Sequence, residues 1–205
     1  MTGLLIAFEG LDQSGKQTQA ERLKARVEAA GRTAVLLDFP SYETPIGKEI
    51  QDALQGERDY GADVMQLLYV ANRYERKPLI ERLLGDGTVV ICDRYLASSI
   101  AYGEAHGLDA AWLREIQRYL PRPDLTILLD IAPETAAGRK TTNRDKYERD
   151  LALLSRVRES YHRQAEAAGP STPLRAGWLR LDGGRAKDVV AADVLTAVSP
   201  LLSRP

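Results

Sequence analysis

The chain is 205 residues long, 44% apolar and 28% charged, which suffices for one domain with a substantial core and is ordinary for a globular protein. Its 28 lysines and arginines are balanced by 29 aspartates and glutamates, so net charge gives no reason to expect binding to nucleic-acid backbones. No segment approaches the roughly 20 apolar residues of a membrane span, and the N-terminal MTGLLIAFEG has no basic region of the kind that precedes a secretion signal. One cysteine and two scattered histidines exclude an internal disulfide and a zinc cluster, so a cytoplasmic protein is expected.

In chain order, five short runs are continuously apolar rather than alternating, the pattern of strands buried on both faces. They are LLIAFE (4–9), TAVLLDF (33–39), TVVICD (88–93), LTILLD (125–130) and the weaker GWLRLD (177–182). Helical patterns separate them over 16–30, 62–84, 109–120 and 147–168, and another over 187–203 closes the chain. Residues 16–30 put Ala20, Leu23, Val27 and Ala30 on one face. This alternation predicts an α/β three-layer sandwich, a five-stranded parallel sheet flanked by helices within a single domain over 1–205. The segment 167–177 reads as a loop. GRKTTNRDKYERD (138–150) is dense in charge and nearly free of apolar residues, so it is expected to be exposed and mobile. Cys92 closes an apolar strand and reads as a buried small hydrophobe, while His106 and His162 read as surface residues.

Ligands gather at the carboxyl ends of strands in such sheets, and the first strand end carries the clearest signal. FEGLDQSGKQTQ (8–19) fits G-x-x-x-x-G-K-[ST] through Gly10, Gly15 and Lys16, with Gln17 at the position where a hydroxyl normally ligates magnesium. Strand, glycine loop and helix follow one another as a phosphate cradle needs: loop amides and the helix N-terminus face the anion, and Lys16 reaches its terminal phosphates. Gly10, Leu11, Asp12, Gln13, Ser14, Gly15, Lys16, Gln17 and Thr18 are therefore the candidate ATP-binding set. Thr18 stands beside Gln17, and Asp12 and Asp93 lie close by, so Mg²⁺ held by carboxylates and water is the preferred reading. No Asn-Lys-x-Asp stretch supports a GTPase. Tyr69 and Arg73, four apart, share a helix face that can stack on a pyrimidine and donate to its O4, or can equally be a half-buried tyrosine and a solvated arginine.

Together the loop, DFPSYETPIG (38–47), LLYVANRYERK (67–77), DRYLASSIAY (93–102) and the late charged stretch resemble the thymidylate kinase family, P-loop kinases that phosphorylate dTMP. The resemblance runs from about residue 4 to about 150, and Asp-Arg-Tyr at 93–95 is its most specific part. It implies a P-loop NTPase-type sandwich with a short mobile lid at about 138–150, in which Asp93 assists magnesium and Arg94 grips the acceptor phosphate. It implies further that Phe39, Tyr42, Ser98, Ser99 and Tyr102 wall the acceptor site, the Tyr102 ring excluding a ribose 2′-hydroxyl. In the lid, Arg144 becomes the transition-state cation, with Lys140 and Lys146 nearby, Arg139 flanks the adenine, and Glu148 helps position metal or acceptor. This chain departs from the family pattern in having Tyr69 and Asn72 where Phe and Asp are usual, Ser41 where a basic residue is common, Ser99 where Asn or Gln is frequent, and a neutral Gln13 in the loop. The implied activity is transfer of the γ-phosphoryl of ATP to dTMP, a step towards dTTP, with catalytic roles for Asp12, Lys16, Arg94 and Arg144, and a homodimer that binds neither nucleic acid nor membrane. Its rivals are another pyrimidine monophosphate kinase and a non-catalytic nucleotide-binding module.

Overall fold

In the computed structural model, which describes residues 3–139, 150–169 and 177–203, five parallel strands form one sheet in the order β2-β3-β1-β4-β5. The strands are β1 (Leu4–Glu9), β2 (Ala34–Asp38), β3 (Val89–Asp93), β4 (Leu125–Asp130) and β5 (Gly177–Asp182). All five expected strands are present, with β2 trimmed by a residue at each end and β3 by its first residue. Among the described residues the helices are α1 (Lys16–Ala29), α2 (Pro45–Gln55), α3 (Ala62–Gly85), α4 (Leu96–Ala105), α5 (Ala110–Glu115), α6 (Pro133–Arg139), α7 (Leu151–Ala168) and α8 (Lys187–Leu202).

The uninterrupted apolar runs are explained by which way their side chains point. Leu4, Ile6 and Phe8 of β1, Val89 and Ile91 of β3, and Leu125, Ile127 and Leu129 of β4 pack with Ala20, Leu23 and Val27 of α1 and Val190, Val194 and Val198 of α8. The intervening Leu5, Ala7, Val90 and Cys92 pack on the opposite face with Ile80 of α3, Phe39 and Tyr95. With alternate side chains pointing to opposite faces and helices on both, no strand position needs to be polar. The buried Cys92 behaves as expected, and burial raises the pKa of its thiol.

Four helical spans differ from the sequence reading. The expected helix over 109–120 stops at Glu115, and α2, α4 and α6 fill stretches with no expected helix. The start of α2 is set by local chemistry: Thr44 Oγ1 accepts from the amide of Gly47 at 3.0 Å, and Pro45 occupies the first helical turn. Its apolar side closes a small cluster of Ile50, Ala53 and Met65 against α3. Of the stretch read as a lid, residues 140–149 lie outside the described part, as do 147–149 of the expected helix over 147–168. His162 is not a simple surface residue; its side chain is 26% exposed and its Nε2 lies 2.9 Å from Asp130 Oδ2.

Candidate active site

β1 is central, between β3 and β4, so the chain leaving it enters the middle of the sheet's carboxyl edge. Gly10 makes that turn at φ 137, and a Cβ there would stand 2.4 Å from the carbonyl oxygen of Leu129 on β4. Only glycine accommodates both the angle and the contact. Gly15, at φ 97, opens α1 with no side chain capping the helix, which leaves the first amides of α1 for an anion. Ser14 Oγ is buried without a hydrogen-bond partner in the same loop. Lys16 is buried and donates to the carbonyl of Leu11 at 2.8 Å. Burial and the nearby Arg94 lower its pKa, against the opposite pull of Asp12, Asp93 and Glu9.

Ser14, Gly15 and Lys16 line a cavity of about 550 Å³ that also takes in Asp12, Gln13, Gln17, Thr18, Asp93 and Arg139. Its far wall is the β5–α8 turn, Gly183 to Lys187, a segment whose signal in sequence is weak. Arg139 spans the two sides, donating to the Gln13 carbonyl at 2.9 Å and the Gly183 carbonyl at 3.1 Å. The guanidinium thus lies against the neutral loop residue itself. Gln17 is exposed, and its amide nitrogen donates to Glu21 at 3.0 Å. Asp93 Oδ1, in contrast, is buried with no hydrogen-bond partner among the described residues. Its register neighbour on β2, Asp38, has its carboxyl pushed up by burial and then by Asp93. Two carboxylates thus stand side by side at these strand tips.

A second cavity, of about 140 Å³, lies beyond the loop and is walled by Phe39, Tyr42, Gln66, Tyr69, Arg73, Arg94, Ser98, Ser99 and Tyr102. Asp12 is the residue that lines both cavities. Its Oδ1 accepts from Arg94 Nη2 at 2.6 Å and its Oδ2 from the Tyr102 hydroxyl at 3.3 Å. Burial acts to raise the carboxyl pKa of Asp12, but Arg94 and Lys16 outweigh it and hold the group well below the usual carboxylate range. Arg94 sits at φ 62, an uncommon conformation for a side chain with a Cβ, and its guanidinium lies 5.3 Å from the centre of the Tyr102 ring. Arg73 is buried rather than solvated. Its Nη1 donates to Ser99 Oγ at 2.7 Å and to the Tyr69 carbonyl at 3.1 Å, while its Nε is buried without a partner.

Ser41, which stands where a basic residue is common, does not reach the cavity wall over 38–44. The cavity takes Phe39, Pro40 and Tyr42 but not Ser41, which is buried, with its Oγ accepting from Arg76 Nε at 3.2 Å. Asn72 fastens this loop. Its Oδ1 accepts from the Ser41 amide at 2.8 Å, and its Nδ2 donates to Thr44 Oγ1 at 2.7 Å and the Ser41 carbonyl at 3.2 Å. An aspartate could accept from the amide but could not make the two donations, so asparagine here carries a positive structural role.

A phosphate loop, a second cavity and an aspartate–arginine pair between them describe a kinase with separate donor and acceptor sites. The thymidylate kinase family model matches residues 8–172. This chain belongs to the thymidylate kinase family. It is 38% identical over 161 residues to the thymidylate kinase of Schizosaccharomyces pombe, covering 78% of this chain and 76% of the relative. It is 33% identical over 193 residues to that of Homo sapiens, covering 94% and 88%. The solved thymidylate kinase of Candida albicans superposes with a TM-score of 0.83 at 30% identity, over 97% of this chain and 92% of the other.

Asp12 to Thr18 of the loop, Asp93 and Arg139 meet in the phosphate-loop cavity, and Phe39, Tyr42, Tyr69, Arg73, Arg94, Ser98, Ser99 and Tyr102 in the second cavity, whereas Gly10 and Leu11 of the candidate set line neither, Leu11 being buried in the core. Arg144, Lys140, Lys146 and Glu148 lie outside the described residues. Sequence reasoning missed Gln66, one turn before Tyr69 on the same face of α3, which the spacing from Tyr69 and Arg73 could have found. It also missed His106 at the second cavity and the buried Glu9, which accepts from Ser98 Oγ.

Proposed function

We propose that the chain transfers the γ-phosphoryl group of ATP to dTMP, giving ADP and dTDP, with Mg²⁺ as cofactor. The observation that carries this reading is the shared wall: a phosphate-loop cavity and a pyrimidine-sized aromatic cavity meet at Asp12, with the Arg94 guanidinium beside it. The loop amides and Lys16 hold the donor phosphates. Arg94 presents its planar fork to the acceptor phosphate, which is already an anion and needs no general base. In the acceptor cavity Tyr69 stacks on the base, the unpartnered Nε of Arg73 is a donor for a pyrimidine carbonyl, and Tyr102 crowds the ribose 2′ position. Lid cations, Arg144 first among them, meet the charge that develops on the migrating group.

The residues present fit Mg²⁺. Asp93 offers an unpartnered buried oxygen on the donor-cavity wall, and a divalent cation would offset the charge it shares with Asp38. Asp12 has both oxygens engaged by Arg94 and Tyr102, so Asp93 is the better placed of the two carboxylates. Mg²⁺ usually takes one or two carboxylates and keeps waters and phosphate oxygens, which suits a site without a cluster of acidic ligands. When bound, it neutralises charge on the β- and γ-phosphate oxygens.

The single-domain reading extends to a cytoplasmic homodimer. Exposed Val64 and Leu67 on α3 are apolar surface that a second subunit would cover. Incubating the protein with ATP, Mg²⁺ and a panel of dTMP, dUMP, UMP, dCMP and ribothymidine monophosphate tests the activity by product formation. dTDP should form fastest. UMP or dUMP turnover at or above that of dTMP would favour another pyrimidine kinase, and binding of ATP and dTMP without product would make the chain a non-catalytic module.

A further inference from the structure

The α4 helix, which carries Ser98, Ser99 and Tyr102, begins without a capping side chain of its own. Its first amides are met from across the sheet. Glu9, wholly buried at the end of β1, accepts through Oε1 from the amides of Tyr95 at 2.9 Å and Ser98 at 3.3 Å. Its Oε2 accepts from the Ser98 hydroxyl at 2.6 Å and from the Tyr161 hydroxyl at 3.2 Å. Four donors thus converge on one carboxylate, which has no ion-pair partner among the described residues. The Ser98 and Tyr161 oxygens, 2.9 Å apart, then stand 3.3 and 3.4 Å from Arg94 Nη1, which also donates to the Gly10 carbonyl at 3.1 Å. Tyr161 comes from α7, the helix that follows residues 140–149, and is 1% exposed.

We propose that Glu9, Ser98 and Tyr161 form a buried clamp that fixes the guanidinium of Arg94, with Tyr161 as a positioning residue for the acceptor phosphate. This deepens the proposed kinase reading, on which its kinetic consequence rests. Asp12 holds one nitrogen of Arg94 from the side of the donor site. The clamp holds the other nitrogen from below. With both ends fixed, the fork has one orientation to offer an incoming phosphate, and less ordering remains for the bound state. Because Tyr161 belongs to α7 and Glu9 to β1, a shift of α7 would be felt at Arg94 without α7 touching substrate.

Tyr161→Phe removes one oxygen and retains the ring, so core packing is preserved. The expected result is a fall of about tenfold in kcat/KM for dTMP, with KM for ATP within about twofold of wild type. In an Arg94→Lys background the same change should cost less than about twofold, since the fork it positions is gone. Glu9→Gln, which keeps the shape but replaces an acceptor with a donor, should act in the same direction and more strongly. Equal losses for both substrates with a lowered Tm would assign Tyr161 a merely structural role and overturn the proposal. Nitrogen NMR of the Arg94 guanidinium decides the matter independently of turnover. Slow rotation of its Nη groups in the free protein should become fast in Tyr161→Phe, and unchanged rotation would overturn the clamp even if no monophosphate proves to be a substrate. Absence of dTDP from wild type, with the NMR difference present, would sink the kinase reading and leave the clamp standing.

Discussion

Arg94→Ala tests the arrangement at its centre, because the guanidinium on the acceptor-cavity wall pairs with Asp12, the residue that lines both cavities. Two charge-assisted hydrogen bonds to a phosphate are worth about 1.5–3 kcal/mol each. Their loss predicts a fall in kcat/KM for dTMP of about two to four orders of magnitude. KM for ATP should change little, since Arg94 is not on the donor-cavity wall. Stability should change less. The Arg94 and Asp12 side chains are 15% and 36% exposed, so water can partly replace the lost partner. Between the about 0–1 kcal/mol of a surface pair and the about 3–5 kcal/mol for breaking a buried one, about 1–2 kcal/mol is expected. Alanine retains the Cβ, so the strain at φ 62 stays the same and does not confuse the comparison. The sign with pH follows from the depressed carboxyl of Asp12. Its contribution is fully present above the ordinary aspartate value of about 4 and is lost as pH falls through the lower folded value. Urea unfolding of wild type and variant should therefore show a stability gap at pH 7 that narrows below about pH 4. A gap independent of pH, or KM for ATP rising as much as KM for dTMP, would refute the assignment.

Asp93→Asn should raise the Mg²⁺ concentration for half-maximal rate, whereas Gln17→Ala, whose side chain is bonded to Glu21, should barely move it; the reverse ranking would place the metal elsewhere. Asn72→Ala removes the side chain that fastens the Ser41–Thr44 turn and should destabilise the protein by about 2–3 kcal/mol in chemical denaturation, and a loss under about 0.5 kcal/mol would show that the turn holds without it. Tyr102→Ala should lower the ratio of dTMP to ribothymidine monophosphate efficiency while Tyr102→Phe keeps most of it; an unchanged ratio in the alanine variant removes the ring from sugar selection. Arg144→Ala should lower kcat by about 10³-fold with dissociation constants for ATP and dTMP nearly constant, whereas Arg139→Ala, which breaks the bridge between loop and β5–α8 turn, should act first on ATP affinity; the opposite pattern would exchange the two roles.

What could be read without the structure was encoded by neighbours in the chain. The five strands announced themselves as unbroken apolar runs, and Gly10, Gly15 and Lys16 are close enough in sequence for one loop to dictate their geometry. DRY at 93–95 was legible because parallel strands place their carboxyl ends together, and any chemistry at a strand tip is then at the site. The start of α2 was equally local, in Thr44 and Pro45, and only a missed cap kept it from view.

The rest depended on register and layer order. Glu9 reads as part of a motif, but its hydrogen-bond partners are at 95, 98 and 161, brought within reach because β1 lies between β3 and β4 and α7 packs on α4. Asn72 looked like the loss of a carboxylate until its donations to Ser41 and Thr44 were visible. The sequence alone thus determined the strands, the phosphate loop and the family, because those rest on local pattern. Only the tertiary structure decided that Asp12 serves two cavities and that Arg94 is held from both sides, because a hydrogen bond needs atoms within about 3 Å and no spacing along the chain sets that distance across a sheet.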